Sequence, residues 1–255
     1  MTELVHRETH ESVATITLDS PGNRNALSAR LRRELIDHLD AAIADTAARV
    51  IVLTHAGSVF CAGMDLKESR GSAAGEQGVR EFPRILQTVW DSPKPVLARL
   101  TGPARAGGVG LLAACDIAIA ADTTTFAFSE VRLGVVPAVI SVTVLPRLLP
   151  RAAHELFLTG ETFNAARATK IGLLNRAVPA DQLDAEVGRF VAMLRRGGPG
   201  ALAGVKDLLR RERPSSMPAD FAEMNELSAR YFAGEEGQEG IRAFAEKRSP
   251  AWTTI

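Results

Sequence analysis

The spacing of apolar and polar residues changes period several times along the 255-residue chain. Val13-Ala14-Thr15-Ile16-Thr17-Leu18 alternates with the period of two of a half-buried strand, and Leu4 to Arg7 lies before it across a polar turn at His10-Glu11, which predicts a hairpin. From Ser28 to Ala44 the period lengthens to that of a helix. Leu31, Leu35, Leu39 and Ala42 share one face, Arg32, Arg33, Asp37 and Asp40 fall elsewhere, and Ser28 is placed to cap the first turn. Val50 to Leu53 has the β-branched content of a buried strand. The alternation continues with a loop over Gly57 to Arg70, a helix over Glu81 to Trp90 and a strand over Lys94 to Ala98. A small-residue helix over Gly107 to Cys115 and strands at Ile117 to Ala120 and Thr125 to Phe128 follow. Strands recurring between helices predict an α/β architecture. From Pro146 onward the pattern is helical, with segments at Arg151 to Thr159, Asn164 to Ile171, Asp181 to Arg195, Ala201 to Arg213, Ala219 to Ala233 and Glu235 to Arg248, and no strand is expected there.

Composition narrows the function classes. Thirty basic and thirty acidic side chains cancel, so nothing favours nucleic-acid binding through the whole surface, and 46% hydrophobic content argues against disorder. The longest apolar run, Ala106 to Cys115, has ten residues, three of them glycine, against the roughly 20 of a spanning helix. No signal segment is visible at the N-terminus, and a cytoplasmic protein without membrane attachment is expected. Two cysteines, Cys61 and Cys115, make a disulfide scaffold improbable, and His6, His10, His38, His55 and His154 lack the spacing of a metal helix.

Two loops could carry chemistry. Thr101 to Gly110 puts three glycines at the start of a helix, where amides can face a ligand oxygen or where only small residues fit; the residues alone leave both readings open. Gly108-Val109-Gly110-Leu111-Leu112-Ala113 also fits G-x-G-x-x-A. The glycines, however, do not follow a strand directly, and Asp122 comes too early for a dinucleotide site. Phe60 to Leu66 joins small residues to an acidic one after a strand, which by itself is consistent with a structural turn.

Taken in order, Ser20-Pro21-Gly22-Asn23-Arg24-Asn25-Ala26-Leu27, Phe60 to Glu68, Ala106-Gly107-Gly108 with Ala114 to Ile117, and Phe128 to Pro137 resemble the enoyl-CoA hydratase/isomerase (crotonase) superfamily. Leu158-Thr159-Gly160 with Ala168 to Val178 extends the resemblance over nearly the whole chain. It implies a spiral of ββα turns over residues 1–195 and a helical C-terminal trimerisation region over 196–255, assembled as a homotrimer or homohexamer. It further implies an acyl-CoA thioester substrate polarised by two backbone N–H groups, carried over to Ala62 and Gly107, with substrate-binding positions at Ala26, Gly63, Met64, Asp65 and Leu66. Coenzyme A enters as part of the substrate, and no metal or separate cofactor is implied. Glu130 matches one catalytic glutamate. The second falls on Gly110, where a side chain would be expected to point toward the acyl group. The resemblance implies an enoyl-CoA hydratase working through a single glutamate. The alternatives are a Δ3-Δ2 enoyl-CoA isomerase, which suits one carboxylate, or an acyl-CoA-binding protein with little or no catalysis. Glu130 could instead cap a turn or pair with Arg132. Lys67 and Arg105 are candidates for meeting ligand phosphates, with surface ion pairs as the simpler reading.

Overall fold

The structure is a computed structural model that describes residues 2–65, 67–68, 72–211 and 217–253, with backbone alone for 72–80, 218, 219 and 222. The chain divides into two compact units, Met1–Phe190 and Val191–Ile255.

In the first unit a six-stranded sheet runs β1 (Val5–His10), β2 (Val13–Leu18), β3 (Val50–His55), β4 (Val96–Leu100), β6 (Ile117–Ala121), β9 (Arg176–Val178). Only the β1–β2 hairpin is antiparallel; every other neighbour is parallel. Parallel neighbours need crossovers, and helices supply them: α1 (Ala29–Ala44) between β2 and β3, α2 (Ser72–Asp91) between β3 and β4, and α3 (Gly107–Ala114) before β6. All six residues of β3 are buried, as a strand covered on both faces requires, whereas the edge strand β1 is mostly exposed. A smaller sheet joins β5 (Ala104–Arg105), β7 (Thr125–Ala127) and β8 (Phe163–Asn164).

Several expectations need correction. Two strands lie beyond Pro146: β8 pairs antiparallel with β7, and β9 runs parallel to β6. At two and three residues neither is long enough to show alternation. Phe163 nevertheless anchors β8 by ring contacts to Phe126 at 5.7 Å and Phe128 at 5.8 Å. A helix, α4 (Ala138–Val144), forms from a β-branched sequence with little intrinsic helix preference. Tertiary packing decides, because Ile140, Thr143 and Val144 are buried as α4 lies on α3. Helix α2 begins nine residues before Glu81, through Gly75 and Gly78, and passes Pro83. Ser28 does cap α1, accepting from the Leu31 N–H at 3.3 Å. The arginine read as lying off the buried face, Arg32, is instead 4% exposed.

The second unit is helical: α8 (Pro199–Arg210), α9 (Met217–Ala233) and α10 (Glu235–Ala245), preceded by the end of α7 (Leu183–Arg196), with α5 (Pro150–Thr159) and α6 (Ala165–Lys170) belonging to the first. The Glu236 carboxylate accepts from Gly200 and Ala201 N–H, both at 2.8 Å, and so caps α8. Arg248 and Arg242 around Glu239 hold that carboxyl down to about 2.

One buried side chain fixes the loop that later bears on the site. Asn25, fully buried with φ +51°, accepts from Ser20 N–H at 2.7 Å and donates to the carbonyls of Ala56 at 3.0 Å and Val59 at 2.7 Å. Replacing Asn25 by Ala strands all three partners, and urea denaturation is expected to show a loss of roughly 3 kcal/mol. A change below about 0.5 kcal/mol would mean that the loop is held by other contacts.

Candidate functional site

Three chain segments meet: one before α1, one after β3 and one that runs from β5 into α3. Leu27 N–H donates to the Gly63 carbonyl at 2.8 Å, forming an isolated parallel bridge between Leu27 and Met64. Cys61 bridges Ala104, with Arg105 N–H on the Cys61 carbonyl at 3.0 Å. Arg105 pairs with Ala127, and Ala106 N–H donates to the Ala127 carbonyl at 3.0 Å. The segments around Leu27, around Met64 and at the start of α3 are thereby tied together, and β7 leads from them directly to Glu130.

The amides differ in what they do. Ala62 N–H already donates to the Arg24 carbonyl at 3.1 Å, which corrects its expected place as a free donor. Met64 and Gly107 N–H groups have no acceptor among the described residues. Gly107 opens α3, so its amide has no partner within the helix, and the helix dipole adds positive potential there. Two backbone features shape the chain beside these amides. Gly63 has φ +89°, and a Cβ on it would sit 3.0 Å from Ala106 Cβ, 3.2 Å from the Arg105 carbonyl oxygen and 3.4 Å from Gly107 N. Ala106, the residue before α3, has φ +48° and ψ −118°, a strained conformation for a side chain with a Cβ. A backbone N–H leaves no side-chain signature, so the sequence marks Met64 only as a substrate-binding position.

Glu130 sits in a 3-10 turn, Ser129–Leu133, anchored by the buried Phe128 ring against Phe157 at 4.5 Å. Its Oε2 is buried and has no hydrogen-bond partner among the described residues, and burial holds the carboxyl above its ordinary range. Arg132 does not pair with it; its Nε donates to the Thr159 carbonyl at 3.4 Å. A buried carboxylate oxygen left without a donor costs stability, so the turn is not maintained for the sake of a structural cap.

Gly110 does not face open space. A Cβ there would lie 2.4 Å from Ile140 Cγ2 and 2.8 Å from Ile140 Cβ, while Thr143 Oγ1 donates to the Gly110 carbonyl at 3.0 Å. The notch left by the missing side chain is filled by α4. Beyond it, Pro83, Leu86, Trp90, Ala138, Val139 and Val142 border a groove of about 590 Å³ between α2 and α4.

The remaining candidates have mostly structural settings. Ala26 is buried. Asp65 accepts from Asn23 Nδ2 at 3.2 Å and from Lys67 N–H at 2.9 Å, which orders the loop. Lys67 is exposed, and Leu66 lies outside the described residues. Arg105 forms no surface ion pair among the described residues; it donates to the Thr125 carbonyl at 2.6 Å and the Thr125 hydroxyl at 2.8 Å. Neither Cys61 nor Cys115 is in a disulfide, both are buried, and burial pushes the Cys61 thiol up to about 12, far from a reactive thiolate. Among the described residues no group of three or more His, Cys, Asp or Glu could hold a metal ion.

Because the folded carboxyl of Glu130 titrates above its unfolded value, ionising it destabilises the fold as pH rises through the folded pKa. Melting of Glu130→Gln against the parent should therefore show a variant that is more stable at pH 8, with the difference shrinking as pH falls to 4. A difference that grows on acidification would contradict the placement.

The family model for enoyl-CoA hydratase/isomerase matches residues 8–254. A protein of Rhodobacter capsulatus named "Probable enoyl-CoA hydratase" is 34% identical over 252 residues, 98% of this chain and 97% of that protein. The carnitinyl-CoA dehydratase of Proteus mirabilis is 34% identical over 260 residues, 99% of each. Among solved structures, an enoyl-CoA hydratase from Mycobacterium smegmatis superposes with a TM-score of 0.91 at 32% identity, covering 98% of this chain and 99% of that one.

Proposed function

The chain belongs to the enoyl-CoA hydratase/isomerase (crotonase) family, and from that premise we propose that it moves the double bond of an unsaturated acyl-CoA thioester with Glu130 as the only proton carrier. Met64 and Gly107 N–H groups receive the thioester oxygen. Negative charge builds on that oxygen as an enolate forms, and each preorganised donor is worth about 2.7–4 kcal/mol at that point. Glu130 takes the proton from C2 of a 3-enoyl thioester, the electron pair shifts through C3 to open the C3–C4 double bond, and the same carboxyl returns the proton to C4. The product is the conjugated 2-enoyl thioester. A carboxyl raised by burial suits this work, because its pKa is brought closer to the working pH for both removing and returning a proton.

The observation that carries this reading is Ile140 in the notch of Gly110. Adding water across a double bond calls for a group that holds the water and one that manages the second proton. The place from which a second carboxylate would reach is apolar and closed by α4. A second reading, hydration of a 2-enoyl thioester with Glu130 doing both jobs, is favoured by the hydratase and dehydratase names of the relatives. Coenzyme A belongs to the substrate in either case. No helix among the described residues is long and apolar enough to cross a membrane. Exposed Leu133, Val136 and Val142 support association with further copies as a homotrimer or homohexamer, which light scattering would read as three or six chain masses; a monomer mass would contradict it.

Two assays separate the readings. Gain of conjugation from a 3-enoyl-CoA is expected to outrun loss of conjugation from crotonyl-CoA, and Glu130→Gln should lose roughly 10²–10⁴-fold of turnover while still binding acyl-CoA. Turnover unchanged in that variant would sink the assignment. Binding without either absorbance change in the parent would instead favour a non-catalytic acyl-CoA-binding protein. Ile140→Ala, which opens the notch to water, should raise hydration relative to isomerisation; an unchanged ratio would remove Ile140 from the account.

A further inference from the structure

The loops bearing the two free amides share a neighbour, Leu27, and Leu27 is held by a buried cation. Arg32 on α1 donates from Nη1 to the Leu27 carbonyl at 2.7 Å. Its Nε and Nη2 donate to one oxygen of Glu81 at 3.2 and 3.0 Å. Glu81 precedes Phe82 on α2, and Phe82 Cε1 stands 3.4 Å from where a Gly107 Cβ would be, with Leu27 Cδ1 3.0 Å from the same point. The two side chains beneath Gly107 are therefore tied to one guanidinium. Through the Leu27 N–H bond to the Gly63 carbonyl, the same guanidinium also reaches the backbone that carries Met64.

An apolar residue would cover this face of α1 more cheaply, since burying a charge costs several kcal/mol unless every donor is matched. What a planar guanidinium adds is a fixed angle between two sets of bonds, one to a loop carbonyl and one to a neighbouring helix. We infer that Arg32 is a positioning residue that sets the spacing of the Met64 and Gly107 amides by clamping Leu27 to α2. This rests on the reading of those amides as the groups that polarise the thioester.

The direct readout is the infrared frequency of the thioester carbonyl of carbon-13-labelled crotonyl-CoA, bound to Glu130→Gln so that nothing turns over. The Glu130→Gln protein should lower that frequency relative to free ligand, and adding Arg32→Met should remove at least about half of the shift while affinity stays within about threefold. In protein that keeps Glu130, Arg32→Met should lower kcat by roughly 10–100-fold with KM within about threefold, as for a small misplacement of catalytic groups. Glu81→Ala, at a half-exposed position that releases only the α2 arm, should give an intermediate loss of shift, and it decides the matter if Arg32→Met does not fold. A full shift in the variant that folds overturns the role of Arg32. No shift even with Arg32 present overturns the donor pair itself, so the two failures are distinct.

Discussion

The hydrogen bond from Leu27 N–H to the Gly63 carbonyl is the contact on which the site depends. It joins a loop that precedes α1 to a loop that follows β3. The side chain of the same leucine lies under the first residue of α3. Neither loop has regular structure of its own, so their relative placement comes from what surrounds them. Asn25 fixes the first loop to Ala56 and Val59, the bridge from Cys61 to Ala104 fixes the second to β5, and Arg32 ties Leu27 to α2. A centre of the kind proposed, built from main-chain amides, can be set only through such supports, because the amides have no side chains to repack.

The site also accepts local costs that the core offsets. Ala106 holds a conformation that glycine would adopt with less strain, and the Glu130 oxygen is buried without a donor. Both costs sit next to segments that are heavily buried: β7, Phe128 and α3. Gly110 and Ile140 belong to the same design. What is missing from one helix is filled by a side chain of the next.

Much of this was legible in the residues, and the parts that were not have physical reasons. Periodicity located α1 and β2, β-branched content marked β3, and small apolar residues marked a helix over Gly107 to Cys115, against Gly107–Ala114 in the structure. It missed β8 and β9, which are too short to alternate, and α4, whose β-branched sequence becomes helical only through packing on α3. Glu130 was readable from its motif, but its burial, with Oε2 left without a donor among the described residues, was not. That the Ala62 N–H is already taken was not readable, because its acceptor, the Arg24 carbonyl, lies thirty-eight positions away. Arg32 was placed on the wrong face because a helical wheel treats any arginine as outward, while its partners, Leu27 and Glu81, lie five and forty-nine positions away.

Proton NMR in heavy water, following a 3-enoyl-CoA incubated with the enzyme, tests the single-carboxylate account most directly. The account predicts that the 2-enoyl thioester accumulates first, with any 3-hydroxyacyl thioester forming more slowly from it. A 3-hydroxyacyl product that keeps pace with, or replaces, the 2-enoyl thioester from the earliest times would contradict it.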